Sequence, residues 1–305
     1  MADVDNITYR RGTLEDSYSV FYLFEQTLAD LLQNLGFHEP TSFSDPRELN
    51  AMWEQRRSLY EHLALHADQF WIAESAGKIV GFARSILEDG VCELTEFFVQ
   101  PGLQSSGVGK QLLALAFPLE GFRQRTIIAT PDLRALARYL KTGVYPRFPV
   151  AYFGKSPELL QSQTDLKFEK LLSSPGALSQ LAVLDETILG FKRMLTQTWL
   201  LKNRQGYLYM RNNQPVGYGY QGTANGPFAL LDAADFPAAL AHAESQAFQR
   251  GADHFGVEVP LINRVAVDYL LSSGFRLEGF LAQFMADKPF GNFERYILTS
   301  PPFFL

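Results

Sequence analysis

Between Cys92 and Lys110 the sequence CELTEFFVQPGLQSSGVGK leaves the chain few choices. Cys92, Leu94 and the run Phe97 to Val99 have the apolar, aromatic and β-branched character of a buried strand, and Pro101 with Gly102 ends it. An apolar stretch, LLALAF, follows directly, so the spacing predicts a helix that starts near Gly107. The first N–H groups of a helix have no partner inside it and carry the positive end of the helix dipole, roughly half a charge. Glycines at positions 107 and 109 let another molecule come close to that backbone. The stretch is therefore a cradle for an anion such as a phosphate or pyrophosphate.

Spacing separates this cradle from other phosphate loops. A Walker A loop needs G-x-x-x-x-G-K-[ST], but here Val108 follows Gly107, and Gln111 follows Lys110, so no hydroxyl is placed for magnesium. The dinucleotide fingerprint G-x-G-x-x-G is absent as well. What stands there is Gln104-x-x-Gly107-x-Gly109 after a strand exit Val99-x-Pro101. That arrangement resembles the acetyl-coenzyme A motif of the GNAT superfamily of N-acetyltransferases. The resemblance implies that the loop Gln104, Ser105, Ser106 and the backbone of Gly107, Val108, Gly109 and Lys110 hold the pyrophosphate, with Gln104 bracing the turn. It also implies that Phe97, Phe98 and Val99 pair through their backbone with the pantetheine arm, as an added strand would.

A second stretch, Asp132-x-x-Ala135-x-x-x-Tyr139-x-x-x-Gly143, is similar to the family pattern N-x-x-A-x-x-x-Y-x-x-x-G-F. Through that resemblance Tyr139 becomes the candidate proton donor to the departing coenzyme A thiolate, the alternative being a core aromatic at helical spacing. Asp132 and Val144 depart from the pattern's asparagine and phenylalanine. An ammonium nucleophile must also lose a proton, and Glu96, on the strand before the cradle, is the candidate base. A carboxylate on a buried strand is costly unless paired or functional. The alternative is that Glu96 faces solvent or pairs with an arginine such as Arg84.

The chain as a whole is consistent with this setting. Its 305 residues, 47% hydrophobic, suffice for two domains with separate cores. A net charge of −6 argues against a general nucleic-acid binder. One cysteine excludes an internal disulfide and fits a reducing compartment. With no apolar leader and no run long enough for a membrane span, the expectation is a soluble, cytoplasmic protein. His62 and His66 share a helical spacing, but Leu63 breaks the H-E-x-x-H pattern, so they are expected on a solvated helix face and no metal is expected.

In order, the patterning predicts a strand at Ile7 to Arg11, a helix after Thr13, and a second from Ser44-Asp45-Pro46 to Ala67, separated by the loop FHEPTSF. A hairpin (Gln69 to Glu74, Ile79 to Leu87), the organising strand, the cradle helix and a strand at Arg125 to Ala129 follow. In a GNAT-like fold the two-helix region covers the acceptor site. After the polar linker SPELLQSQTD the order restarts, with a hairpin around Asn212 to Pro215, a helix from Phe236 to Gln249, and strands at Phe280 to Met285 and Phe293 to Leu298. At the matching position this second half reads Ala233-Ala234-Asp235-Phe236-Pro237, without the cradle.

The expectation is an α/β mixed-sheet protein of two tandem GNAT-like domains. Residues 1–156 would form the acetyl-CoA-binding catalytic domain, and residues 162–305 a degenerate one without the pyrophosphate loop. The reaction expected is transfer of acetyl from acetyl-CoA to a primary amine of a small molecule or peptide, with neither metal nor nucleic acid. The alternative is a coenzyme A-binding module without turnover.

Overall fold

The structure, a computed structural model, describes residues 7–36, 45–104, 107–160 and 163–299. The expected loop FHEPTSF, Ser44 at the expected start of the second helix, and Ser105 and Ser106 of the cradle lie outside the described residues. The chain forms two compact units, one of Met1–Leu87 with Cys92–Arg125 and one of Glu88–Val91 with Thr126–Leu305.

The first unit runs β1 (Ile7–Arg11), α1 (Ser17–Asn34), α2 (Pro46–His66), β2 (Ala67–Ser75), β3 (Lys78–Glu88), β4 (Val91–Val99) and α3 (Val108–Ala116). The first four strands lie in the order β1-β2-β3-β4. The β2–β3 hairpin turns at Ala76 and Gly77, both with positive φ (49° and 73°), as a tight two-residue hairpin turn demands. Ahead of α1, Thr13 takes the expected cap position, in a capping box where the Thr13 N–H donates to the Asp16 carboxylate at 2.8 Å. At α2, Asp45 accepts the N–H of Arg47 at 2.8 Å and Pro46 takes the first helical position, where a missing N–H costs nothing.

These helices bury an aromatic stripe. Val20, Phe21, Leu23 and Phe24 of α1 and Leu59, Tyr60 and Leu63 of α2 are buried. The Phe21 and Tyr60 rings meet edge-on at 5.5 Å, and those of Phe24 and Phe98 at 5.0 Å. Each fully buried large apolar side chain contributes about 1.5–3 kcal/mol. His62 belongs to this buried side of α2 and only His66 is exposed, which corrects the expectation of a solvated histidine pair.

The second unit holds β5 (Gln124–Ala129, its first two residues lying in the first unit), α4 (Leu133–Lys141), β6 (Tyr145–Lys155), β7 (Lys167–Lys170) and α5 (Pro175–Leu189). It continues through α6 (Met194–Asn203), β8 (Gln205–Arg211), β9 (Gln214–Gln221), β10 (Phe228–Leu230) and α7 (Phe236–Gln249). It ends with β11 (Phe255–Pro260), α8 (Arg264–Ser272), β12 (Arg276–Ala286) and β13 (Tyr296–Ile297). Its strands follow the orders β5-β12-β6-β11 and β13-β10-β9-β8-β7. Strand β12 is antiparallel to both neighbours, pairing Gln283 with Ala129 on one side and Phe284 with Phe148 on the other. A strand from late in the sequence is thus laid between two from its first half.

Several elements differ from expectation. Strand β6 and helix α6 were not foreseen. The segment Phe293 to Leu298 forms a short 3-10 turn at Phe293–Arg295 and a two-residue strand, not one continuous strand. Strand β12 starts at Arg276, well before Phe280. The β8–β9 turn is tighter than expected, with only Asn212 and Asn213 at positive φ.

Candidate functional site: a strand, a turn and an open helix start

Strand β4 leaves the sheet through a turn written in its sequence. The Leu103 N–H donates to the Gln100 carbonyl at 3.1 Å, closing a turn with Pro101 and Gly102 at its centre, and Gly102 has φ +85°. Proline followed by a positive-φ glycine is the signature of a type II turn. The chain then reaches Gly107, which caps α3 with φ +95°. A Cβ built there would meet nothing within 4 Å, so the glycine serves the backbone conformation and leaves the space in front open.

The start of α3 is bare. Among the described residues no side chain caps it, no acid stands in its first turn, and the first helical bond back to the cap is that of the Gln111 N–H to the Gly107 carbonyl at 3.2 Å. The N–H groups of Val108, Gly109 and Lys110 precede that bond and point off the helix end. Such an end attracts an anion by donor geometry and by dipole together. On the side facing the sheet, a Cβ at Gly81 of β3 would lie 2.9 Å from Leu112 and 3.4 Å from Val108, so α3 sits as close to β3 as a missing side chain permits.

Of the sequence-derived candidates, Glu96, Phe97, Phe98, Val99, Gln104, Gly107, Val108, Gly109 and Lys110 fall on this one strand, turn and helix of the first unit. Val99 is buried, whereas Phe97 and Phe98 are half-buried and Lys110 is exposed.

Glu96 is found in the ion pair that the sequence offered as its alternative. Its carboxylate accepts from Arg84 Nε at 2.6 Å and from Nη2 of the same guanidinium, with both side chains fully buried. Arg84 Nη1 donates to the Tyr60 carbonyl at 3.1 Å, and its guanidinium lies 4.9 Å from the Phe70 ring centroid and 5.4 Å from that of Tyr60. The Tyr60 side chain lies beside the same carboxylate and acts with Arg84 against its protonation. Burial pushes the Glu96 pKa up, and the Arg84 charge works against that push. Tyr60 was missed by sequence reasoning because nothing local marks a tyrosine of α2 as the neighbour of a strand carboxylate. Arg84 is the available signal, as a guanidinium in the otherwise apolar β3 needs a partner.

Tyr139 belongs to α4 in the second unit and is buried. Burial first, and then the nearby Asp132 charge, push its phenol well above the ordinary value of 10.0, so it keeps its proton at neutral pH. Asp132 has a clear job: its carboxylate accepts the N–H groups of Arg134 at 2.7 Å and Ala135 at 3.3 Å, capping α4 as an asparagine would.

The matching position of the second half is closed where α3 is open. Ahead of α7, Asp232 accepts the Ala234 N–H at 2.9 Å, and Asp235 is held by both terminal nitrogens of Arg211 at 3.0 and 2.7 Å. Pro237 brings no N–H at all. Strand β10 has chain on both sides, with Phe228 opposite Gly219 of β9 and opposite Ile297 of β13. Strand β13 is pinned by Arg193, which donates to the Tyr296 hydroxyl at 2.7 Å and pairs with Asp185 at 3.0 Å.

Among the described residues there is no cluster of three or more histidine, cysteine or acidic side chains able to hold a metal, and no helix long and apolar enough to cross a membrane.

Comparison with known proteins agrees with this geometry. Residues 32–144 match the model of the acetyltransferase (GNAT) family. No curated protein matches the sequence. Among solved structures, a candidate acetyltransferase from Pyrococcus horikoshii superposes with a TM-score of 0.70 at 13% identity, covering 95% of this chain and 92% of that one. A tandem GNAT protein from the clavulanic acid biosynthesis pathway superposes with a TM-score of 0.56 at 12% identity, over 93% of this chain and 99% of that one. A GCN5-related N-acetyltransferase from Sphaerobacter thermophilus gives 0.56 at 14% identity, over 94% and 98%. At such identities the structural likeness speaks for the fold, and the family follows from the matched segment. Residues 32–144, with this strand, turn and helix, thus match the GNAT acetyltransferase family, and the chain shares its fold with a tandem GNAT protein.

Proposed function

We propose that the chain is an N-acetyltransferase that binds acetyl-CoA at the start of α3 and passes its acetyl group to a primary amine by direct attack. The observation that carries this reading is the bare helix start at Gly107, with three N–H groups before the first helical bond and no acid in the first turn. A pyrophosphate fits there because donors and dipole point the same way. Phe97 to Val99 would take the pantetheine arm through their backbone, and the amide near Phe98 would donate to the oxygen that becomes negative during attack. The amine nitrogen bonds to the carbonyl carbon, the carbon–sulfur bond breaks, and the thiolate takes a proton. Tyr139, by its place in the family pattern, supplies that proton, and its raised pKa keeps it available as a donor.

Glu96 enters the proposal in a narrower role. A carboxylate already accepting from Arg84 in a fully buried pair is poorly placed to take a proton from an amine, so Glu96 anchors Arg84 and the packing of β3 on β4. The amine proton then leaves to water. The same observation favours the second reading, a coenzyme A-binding module without turnover.

The deciding experiment is titration with acetyl-CoA, followed by thiol release against a panel of primary amines. Binding of one equivalent with amine-dependent release supports the transferase. Binding without release from any amine supports the module, and no binding overturns both.

A further inference from the structure

Away from the cradle, the second unit carries a carboxyl group that nothing in the fold satisfies. Glu258 of β11 lies opposite Tyr152 of β6, and Tyr152 lies opposite Glu278 of β12, so the three side chains stand in one row on the same face of the sheet. Glu278 has a partner, His254 Nε2 at 3.4 Å. Glu258 is half-buried and has no side-chain hydrogen bond or ion pair among the described residues, and its loss of water lifts its pKa to about 7. A desolvated carboxyl without a donor is the costly arrangement that folded chains avoid.

The surroundings of that carboxyl are shaped. A Cβ at Gly256 would lie 2.1 Å from the Tyr152 hydroxyl, and one at Gly154 would lie 2.5 Å from His254 Nε2. Two glycines thus let the tyrosine and histidine lie flat across neighbouring strands, their rings nearly parallel at 19° with centroids 6.1 Å apart. The result is an aromatic floor beside an unpaired acid. Arg276 of β12 stands one row further, opposite Gly154, and is exposed. The Tyr152 phenol is itself pushed up to about 12 by burial and by the charges of Glu258 and Glu278, so it remains a neutral donor or acceptor.

We propose that the niche formed by Glu258, Tyr152, His254 and Glu278 is a binding site for a small organic cation bearing a primary ammonium group. The ammonium would donate to the Glu258 carboxylate while its carbon chain lies over the Tyr152 ring, where ring face and carboxylate both favour positive charge. The site is separate in argument from the transferase reading, since it requires neither acetyl-CoA nor the cradle.

The test uses the full chain with n-butylammonium as the probe and n-butanol as its uncharged counterpart, in the absence of coenzyme. With glutamate carboxyl groups labelled with carbon-13, the Glu258 signal should titrate near pH 7 in the free protein. n-Butylammonium should move that midpoint down by a unit or more, while n-butanol should leave it in place. Glu258→Gln should weaken n-butylammonium binding at pH 8 at least tenfold, and Arg276→Gln should leave it unchanged or strengthen it. Equal effects of amine and alcohol, or a Glu258 signal indifferent to both, would overturn the proposal. The wild-type titration decides the question even if a variant does not fold.

Discussion

Two helix starts occupy matching places in this chain and have opposite chemistry. The start of α3 offers N–H groups of Val108, Gly109 and Lys110, a positive-φ glycine with open space before it, and no acid. The start of α7 has spent the same resources. Asp232 takes an N–H, Asp235 is locked to Arg211, and Pro237 has none to give. The neighbouring strands differ in the same sense, since β10 already has β13 along its second edge. A helix start that satisfies its donors from within has few left to offer an anion, and it makes a firmer structural joint.

The sharpest way to break this comparison is Gly107→Glu. A carboxylate there repels a pyrophosphate at short range, so coenzyme binding should disappear from a chain that otherwise titrates at a stoichiometry near one. A stoichiometry near two, or binding that survives the substitution in a folded protein, would show that the start of α7 can also hold the ligand.

Next in size is the lock on β13. Arg193→Met leaves Asp185 buried without its charge partner, which should cost about 3–5 kcal/mol in urea denaturation. The loosened strand should still give no second coenzyme site, because Asp232 and Asp235 remain. A loss below about 1 kcal/mol would mean that β13 does not depend on this pair.

A pH series separates the paired carboxyl of the first unit from the unpaired one of the second. The Glu258 pKa is raised from 4.5 to about 7 by burial. Between those values the native chain holds a proton that the unfolded chain has released. Stability should therefore fall as pH rises through that window, by up to about 3 kcal/mol, and Glu258→Gln should flatten the slope. An unchanged slope in the variant would assign the pH dependence to other groups.

Tyr139→Phe should lower kcat by roughly a hundredfold with little change in coenzyme affinity, the usual scale for losing one general acid. Unchanged turnover would return Tyr139 to the core of α4. Smallest is Gly107→Ala, which keeps the site neutral and adds only the strain of a side chain at positive φ, about 1–2 kcal/mol of stability. Were it to abolish binding as fully as the glutamate does, backbone conformation rather than charge would be the controlling term.

The cradle was legible because it is local. Pro101, Gly102 and Gly107 each dictate a backbone angle, and an apolar helix follows at once. Strand β6 was hidden by Pro146 and Pro149, residues that normally argue against a strand. The fold accommodates the first at a register shift, between the pairs Phe284 with Phe148 and Met285 with Pro146, and uses the carbonyl of the second as acceptor for the Leu261 N–H at 2.9 Å. Helix α6 was hidden because its buried face is mostly polar: Thr196 and Gln197 are buried beside Leu200, with the Thr196 N–H donating to Glu88 at 3.1 Å and Gln197 Nε2 donating to Asp185 at 2.8 Å. No apolar period betrays such a helix. The partnership of Glu96 with Arg84 was foreseeable as chemistry, but the ring cage around Arg84 comes from α2, β2 and β3 together and has no linear signature.

The position of β12 sets a timetable for synthesis. Strands β5 and β6 leave the ribosome about 130 residues before the strand that joins them, an interval of roughly 6–26 s at 5–20 residues per second. Throughout that interval the edges of β5 and β6 that face β12 in the finished protein have no backbone partner. A nascent chain halted anywhere in this span would present two unpaired strand edges, the surface that holdase chaperones bind and that aggregates grow from. Any ribosomal stall before Arg276 is therefore expected to yield a polypeptide destined for degradation rather than a working half-enzyme.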